Sequence, residues 1–334
     1  MSDFKNEINS ILNIISNDLI EVNNRLPVSL NSKSPLVSEI SNYIINSGGK
    51  RVRCVIALLL AKALNYDNDF KFDAAVIIEY IHVASLLHDD VVDNSEFRRG
   101  KKVANIVYGN PASILSGDYI YTRALQILAT FNSMDIMKET IDAINTIAEG
   151  EVDQLSLLKS ELEITEDEYF QVIYKKTAKL FEASSVLISM LSSMESDLNI
   201  SKEIKEKTAL YGKYFGILFQ IIDDLIDYLP NKVLDKKRGD DLAEGKITLP
   251  LIHLLQNANS KDKIKLYKIL KSDNRIDYLD EVYALMQQYG SIDYSYEKAI
   301  YYKNKAKDSI NLLEDSEAKE GLLRLVDISF ARDF

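Results

Sequence analysis

Only five prolines, Pro27, Pro35, Pro111, Pro230 and Pro250, punctuate the 334 residues of this chain. Proline is rarely tolerated inside a helix, and the long spans between these positions carry apolar residues at a helical period. Phe4, Ile8, Ile11, Leu12, Ile15, Leu19 and Val22 recur at intervals of three and four, the mark of an amphipathic helix. Ala75, Ile78, Ile81, His82, Ser85 and Leu86 form a second stripe, and Ile141, Ile144, Ile147, Ala148, Glu151 and Leu155 a third. A further long one runs from Val172 to Leu191. Strand-like alternation with Asn-Gly-type turns is absent. Breaks are predicted at 24–35, 47–49, 65–69, 109–111, 160–168 and 230–245, none with the composition of a flexible linker. The pattern predicts an all-α fold, a single domain over residues 1–334 with about a dozen helices. Residues 251–334 keep the helical period but show little distinctive chemistry, which suits a structural or dimer-packing role.

Two apolar helical runs end in the same acidic signature. Asp89-Asp90-Val91-Val92-Asp93 and Asp223-Asp224-Leu225-Ile226-Asp227 are both D-D-x-x-D. Residues i and i+4 share a helix face and i+1 lies about 100° round it, so each copy is a compact carboxylate cluster. Clustered ionised carboxylates repel one another and are costly to bury unpaired. Such a pattern calls for cations, and two copies facing each other would hold several Mg²⁺ ions around a polyphosphate-type substrate. One D-D-x-x-D is a modest signal, because acidic helix ends are common. Two copies, each followed by cations, are a specific one.

Composition narrows the classes further. A hydrophobic content of 46% is ample for a core, and a net charge of −11 argues against nucleic-acid binding, which needs a basic surface. The single cysteine, Cys54, rules out an internal disulfide and suits a reducing cytoplasm. Its place beside the apolar run 55–61 predicts a buried structural thiol. Three histidines do not make a His-rich zinc site. No apolar run approaches the ~20 residues that span a bilayer, and residues 1–7 lack the character of a signal or transit peptide. A cytoplasmic protein with at most peripheral membrane contact is expected.

Cations cluster near both signatures. Gly48-Gly49-Lys50-Arg51-Val52-Arg53 joins a flexible turn to three cations and then a helix, which can form an anion site. Alone, it reads equally as a capped helix with solvated charges. Phe97-Arg98-Arg99-Gly100-Lys101-Lys102 follows the first cluster, and adjacent arginines can address two phosphates by bidentate hydrogen bonds. A surface charge run is the plainer alternative. Lys176-Thr177, Gln220, Lys236-Lys237-Arg238 and Lys246 are singly ordinary surface or helix-end groups. His82 shares the face of Asp89 two turns below it, where a satisfied core role and a hydrogen bond to an anionic ligand are both open. His88 has the weaker case, since Asp89 beside it could simply orient it.

In this order the motifs closely resemble the all-trans polyprenyl diphosphate synthases, and among them the bacterial octaprenyl diphosphate synthases. The resemblance runs through Gly48-Gly49-Lys50-Arg51-Val52-Arg53, the segment from His82 to Asp93, Arg98-Arg99-Gly100 and Gly117-Asp118-Tyr119. It continues through Ala148-Glu149-Gly150-Glu151-Val152, Lys176-Thr177-Ala178, Phe219-Gln220-Ile221-Ile222-Asp223-Asp224 and Gly245-Lys246-Ile247-Thr248-Leu249-Pro250. Two positions depart from the family pattern. Cys54 stands where proline is usual, and Asp235 where glycine usually precedes the aligned lysine, which leaves Lys236 and Lys237 as alternatives.

The resemblance implies a helical bundle of the isoprenoid-synthase type around a deep cavity. It implies a homodimer and Mg²⁺-dependent addition of isopentenyl diphosphate to farnesyl diphosphate, giving a long all-trans product, octaprenyl, for the ubiquinone side chain. Heptaprenyl, solanesyl and decaprenyl products, or a partner-dependent subunit, are the alternatives. A terpene cyclase is disfavoured, since the second motif is aspartate-rich rather than an Asn/Asp, Ser/Thr, Glu triad. By the same resemblance Asp89, Asp93, Asp223 and Asp227 bind two or three Mg²⁺ ions, with Asp90 and Asp224 completing the shell. Arg98, Lys176, Lys236 and Lys246 hold the allylic diphosphate, and Lys50, Arg53, His82 and Arg99 hold isopentenyl diphosphate. Thr177 and Gln220 present oxygen dipoles to the carbocation. Ala84 and Ser85, small residues one turn below Asp89, are expected to leave a product tunnel open, with its floor on the segment 119–131.

Overall fold

A computed structural model describes residues 2–98, 100–159, 164–198, 200–230 and 238–331. The predicted all-α class holds. In chain order the helices begin with α1 (Ser2–Ile14), α2 (Ser16–Ser29), α3 (Pro35–Ile45), α4 (Val52–Ala63), α5 (Phe70–Val92), α6 (Ala104–Tyr108) and α7 (Asn110–Ala129). Next come α8 (Met134–Lys159), α9 (Glu166–Ile173), α10 (Lys179–Ser192), α11 (Lys202–Tyr228) and α12 (Asp240–Glu244). The chain finishes with α13 (Leu249–Asn257), α14 (Ser260–Leu270), α15 (Leu279–Gln288), α16 (Ser291–Ser309) and α17 (Glu317–Phe330).

Several local details differ from the sequence pattern. The first stripe is two helices, broken at Ile15, and α2 runs through Pro27 to Ser29 rather than stopping at Asn24. Pro27 sits in the last turn, so the one hydrogen bond that its missing N–H forfeits falls at the end of the helix and not in its middle. The stripe from Val172 to Leu191 is interrupted by a π-helical turn, Tyr174–Ala178, between α9 and α10. A small hairpin also forms, β1 (Phe97–Arg98) with β2 (Lys101–Lys102), pairing Phe97 with Lys102 and Arg98 with Lys101. Gly100 turns it with a φ of 72°, a conformation that suits glycine.

The chain forms two compact units, to each of which it contributes three stretches. The first comprises Met1–Ile144, Leu180–Gly212 and Ile310–Leu325. Its centre is α5, which packs against α2, α4, α6 and α7. Ala74 to Ile78, Tyr80, Ile81, Ala84 and Leu87 are all buried on it, so the helix is enclosed on most sides. Full burial of each large aliphatic side chain contributes about 1.5–3 kcal/mol. The Tyr80 hydroxyl is satisfied inside this core by the Leu26 carbonyl at 2.5 Å.

The second unit comprises Asn145–Lys179, Lys213–Ser309 and Val326–Phe334. Here α13 packs against α16, α15 and α9. Thr165 and Glu168 form a reciprocal capping box at the start of α9. Glu166 in its first turn accepts from Tyr294 and Lys298 of α16. That anchoring fixes the direction in which α9 enters the π-turn.

Candidate active site

Both acidic signatures occupy the C-terminal turn of a long helix, α5 and α11. Unsatisfied carbonyls already make that end of a helix negative. Three carboxylates added there raise the local demand for cations. In the first unit Asp89 and Asp93 are half-buried and Asp90 fully buried. Arg98 donates to Asp90 Oδ1 from Nε at 3.0 Å and from Nη2 at 2.8 Å. Burial pushes the Asp90 carboxyl above its ordinary range, Arg98 pulls it back, and Asp93 adds to the rise. Arg98 thus holds a motif aspartate, and it rides on a hairpin pinned by the Tyr43 hydroxyl to the Lys102 carbonyl at 2.5 Å.

The cation loop before α4 is built on left-handed backbone. Gly48 has φ 83° and Arg51 has φ 47°; for a residue with a side chain that conformation is uncommon. Arg51 reaches Glu79 of α5 at 3.4 Å, and the Cys54 thiol, fully buried as expected, donates to the same carboxylate at 3.3 Å. Burial, then the Glu79 charge, pushes this thiol up, so it is a structural group and not a nucleophile. Arg53 lies over the Phe181 ring at 4.3 Å, while Lys50 is exposed. A pocket lined by Gly48, Glu79, His82, Asp90 and Arg98 brings the loop, the histidine and the first motif together. Neither Ala84 nor Ser85 lines it. His88 is oriented by the Ile114 carbonyl at 3.1 Å and by Asp118 at 3.4 Å, both on α7.

In the second unit Asp223 is half-buried, whereas Asp224 and Asp227 are buried. Asp227 accepts the backbone N–H of Asp240 at 3.1 Å and of Asp241 at 3.0 Å, an N-terminal cap for α12 supplied from α11. Asp224 accepts from the Tyr169 hydroxyl at 2.6 Å and from Gln220 Nε2 at 2.7 Å. Gln220 Oε1 in turn accepts from Thr177 Oγ1 at 2.8 Å. The structure therefore joins Thr177, Gln220 and Asp224, three predicted residues, in one chain that ends on Tyr169, which sequence reasoning missed.

Lys176, on the π-turn, is held by Glu151 and Gln154 of α8, both at 2.6 Å. Lys175 pairs with Asp153 at 2.8 Å. Gly150 lets α8 approach: a Cβ there would lie 2.7 Å from Lys175 Cβ and 2.8 Å from Lys176 N. The Glu149-Gly150-Glu151 motif carried a signal of this packing. Lys246 pairs with Glu244 just after α12. Arg99, Lys236 and Lys237 lie outside the described residues.

The donors are carboxylate oxygens, the ligand type of hard divalent ions. Among the described residues no three His, Cys, Asp or Glu side chains converge as a ready-made cage. Mg²⁺ is commonly bound by one or two carboxylates with substrate phosphate and water filling the octahedron. The buried Asp90 Oδ2, with no hydrogen-bond partner among the described residues, fits a cation-assisted site. The donor set therefore suits Mg²⁺ brought in with a phosphorylated substrate.

The chain is similar to solved structures of isoprenoid diphosphate synthases. A decaprenyl diphosphate synthase from Rhodobacter capsulatus matches with a TM-score of 0.91 at 32% identity, over 97% of this chain and 99% of that one. A polyprenyl synthase from Caulobacter crescentus, complexed with calcium and isoprenyl diphosphate, matches with a TM-score of 0.89 at 29% identity, each chain covered to 98%. The Polyprenyl synthetase family profile matches residues 34–286, and the chain belongs to that family. It is 40% identical to the octaprenyl diphosphate synthase of Haemophilus influenzae, over 98% of both chains. The octaprenyl diphosphate synthase of Escherichia coli is 38% identical, over 98% of this chain and 99% of its own length.

Proposed function

We propose that this chain elongates farnesyl diphosphate with isopentenyl diphosphate units to a long all-trans polyprenyl diphosphate, octaprenyl diphosphate being the product. The observation that carries the reading is the pair of intact D-D-x-x-D motifs, each closing a largely buried helix beside cations. Likeness to the two octaprenyl diphosphate synthases supports the product length.

In this reading the allylic carbon–oxygen bond breaks and diphosphate leaves with the electron pair. The isopentenyl double bond then forms the new carbon–carbon bond, and a proton passes to the departed diphosphate. Bound Mg²⁺ supplies neutralisation of the charge developing on the leaving group. Asp89, Asp93 and Asp223 would hold it, with Asp90 and Asp224 fixed behind them by Arg98 and Tyr169. Asp227, buried and capping α12, would contribute chiefly by placing the segment that leads to Lys246. Lys176 and Lys246, with Arg98 and Lys236, would steady the allylic diphosphate. Lys50, Arg53, His82 and Arg99 would receive isopentenyl diphosphate, a role that suits the shared pocket of His82, Gly48 and Arg98.

We take the chain as one functional domain, because its two units interleave along the sequence. A homodimer is supported by the exposed Ile106, Val107, Ile114 and Leu115 on α6 and α7. No described helix is long and apolar enough to cross a membrane; a cytoplasmic enzyme with peripheral contact at most is our reading. The test is incubation of the purified chain with farnesyl diphosphate, labelled isopentenyl diphosphate and Mg²⁺, then chromatography of the dephosphorylated products. An octaprenol peak is expected. Absence of any elongation overturns the reading, and a single peak of another length corrects the product alone.

A further inference from the structure

The buried hydroxyl of Tyr169 does more than fix Asp224: it ends a chain of oriented hydrogen bonds that reaches Thr177. We propose that Tyr169 is a positioning residue which, through Asp224 and Gln220, fixes the oxygen of Thr177 as a pure acceptor toward the allylic cation. The inference rests on the prenyl-transfer reading.

The polarity of the chain follows from donor and acceptor counting. A phenol carries its proton at neutral pH and can donate it. Tyr169 donates that proton to Asp224 Oδ2 at 2.6 Å. An ionised carboxylate only accepts, so the other oxygen, Oδ1, must receive the amide nitrogen of Gln220, as it does at 2.7 Å. That bond decides which way the Gln220 amide faces, an orientation otherwise ambiguous for this side chain. Its carbonyl then points to Thr177 and takes the only hydroxyl proton there, at 2.8 Å. Thr177 Oγ1 is left with lone pairs alone for any further partner. Such an oxygen attracts a developing cation and repels none of its charge.

Tyr169 matters because it commits Asp224. Without the tyrosine proton, Asp224 Oδ2 becomes the better acceptor, and Gln220 can swing toward it or turn over. Either movement lets Thr177 present its proton instead of its lone pairs. The π-turn adds to the rigidity: Thr177 lies on it, four residues beyond α9, which carries Tyr169. One short stretch therefore supplies both ends of the relay, and α11 the middle.

The test is a double-mutant cycle of Tyr169→Phe and Thr177→Val on the full-length enzyme, measured with farnesyl diphosphate, isopentenyl diphosphate and Mg²⁺. Tyr169→Phe is expected to lower kcat about 10-fold and to leave both KM values unchanged, whereas Thr177→Val lowers kcat about 100-fold, the scale of one oriented dipole. Because Tyr169 acts through Thr177, adding Tyr169→Phe to Thr177→Val should cause no further loss. Losses that multiply, a change confined to KM, or an unchanged kcat overturns the proposal. If circular dichroism shows Tyr169→Phe unfolded, Asp224→Asn replaces it, since asparagine cannot accept from both Tyr169 and Gln220; multiplying losses again overturn the proposal. A wild-type enzyme that elongates nothing overturns the prenyl-transfer reading and this inference with it. An active wild type with multiplying losses overturns the inference alone.

Discussion

Arg98 donates from both Nε and Nη2 to one oxygen of Asp90, Oδ1, while the other oxygen is buried without a hydrogen-bond partner among the described residues. A buried carboxylate is tolerated because this guanidinium neutralises it, and removing the guanidinium strands the charge. Arg98→Leu should therefore destabilise the fold by about 3 kcal/mol, the low end for breaking a buried pair because Arg98 itself is partly exposed. Asp90→Asn, which removes the charge and keeps the shape, should lose less. Urea denaturation of the two variants checks the order. Equal losses would mean that Arg98 contributes packing and not charge compensation.

Asp227 makes a different kind of bond from its neighbours in the second motif. Its two oxygens cap the first two N–H groups of α12, where a negative charge is also favoured by the helix dipole. Asp227→Ala should lose about 1–2 kcal/mol as a lost cap, seen as a lower midpoint in urea. Asp227→Asn should raise the Mg²⁺ concentration for half-maximal rate less than Asp223→Asn does. A larger Mg²⁺ effect at Asp227 would place it ahead of Asp223 as a metal ligand.

The helical stripes, both acidic motifs and the buried thiol of Cys54 were legible because each depends on spacing or composition along a few turns. The π-turn was not. Its sequence, Tyr174-Lys175-Lys176-Thr177-Ala178, continues an ordinary helical period, and the close packing of Gly150 on α8 against it is a contact that local spacing does not record. Tyr169 was hidden for a similar reason: it fits the apolar face of α9, and its partner Asp224 lies 55 residues away. The β1–β2 hairpin is too short for alternation to register. Arg98 was read as a diphosphate ligand from its neighbours in sequence; its bond to Asp90 became visible only once the hairpin folded back on α5.

Gly150 offers a direct probe of the π-turn. An added Cβ would meet Lys175 Cβ and the Lys176 backbone nitrogen well inside ordinary contact distance, and backbone cannot step aside as a flexible side chain can. Gly150→Ala should displace Lys176 and Thr177 together and lower kcat about 100-fold, since small misplacements of reacting groups are costly. The helix preference of alanine, worth about 1 kcal/mol over glycine, partly offsets the strain, so the melting temperature should fall little. A large loss of stability with normal kcat in the remaining folded protein would contradict this account.

Of the two small residues below Asp89, Ser85 is the better probe of product length. Ala84 has no solvent-accessible surface, whereas Ser85 is half-buried with its hydroxyl turned back to the His82 carbonyl at 2.8 Å. A residue at the wall of an open tunnel keeps some accessible surface, and one packed on every side does not. A tyrosine at position 84 must therefore displace neighbours, at about 1–3 kcal/mol for overpacking. At position 85 the ring can enter space that is already accessible. Ser85→Tyr should shorten the product to geranylgeranyl or below with little change in melting temperature, while Ala84→Tyr should shorten it only with a clear drop. Chromatography of dephosphorylated products beside thermal melts separates the two. Full-length product from Ser85→Tyr would place the tunnel on another face of α5.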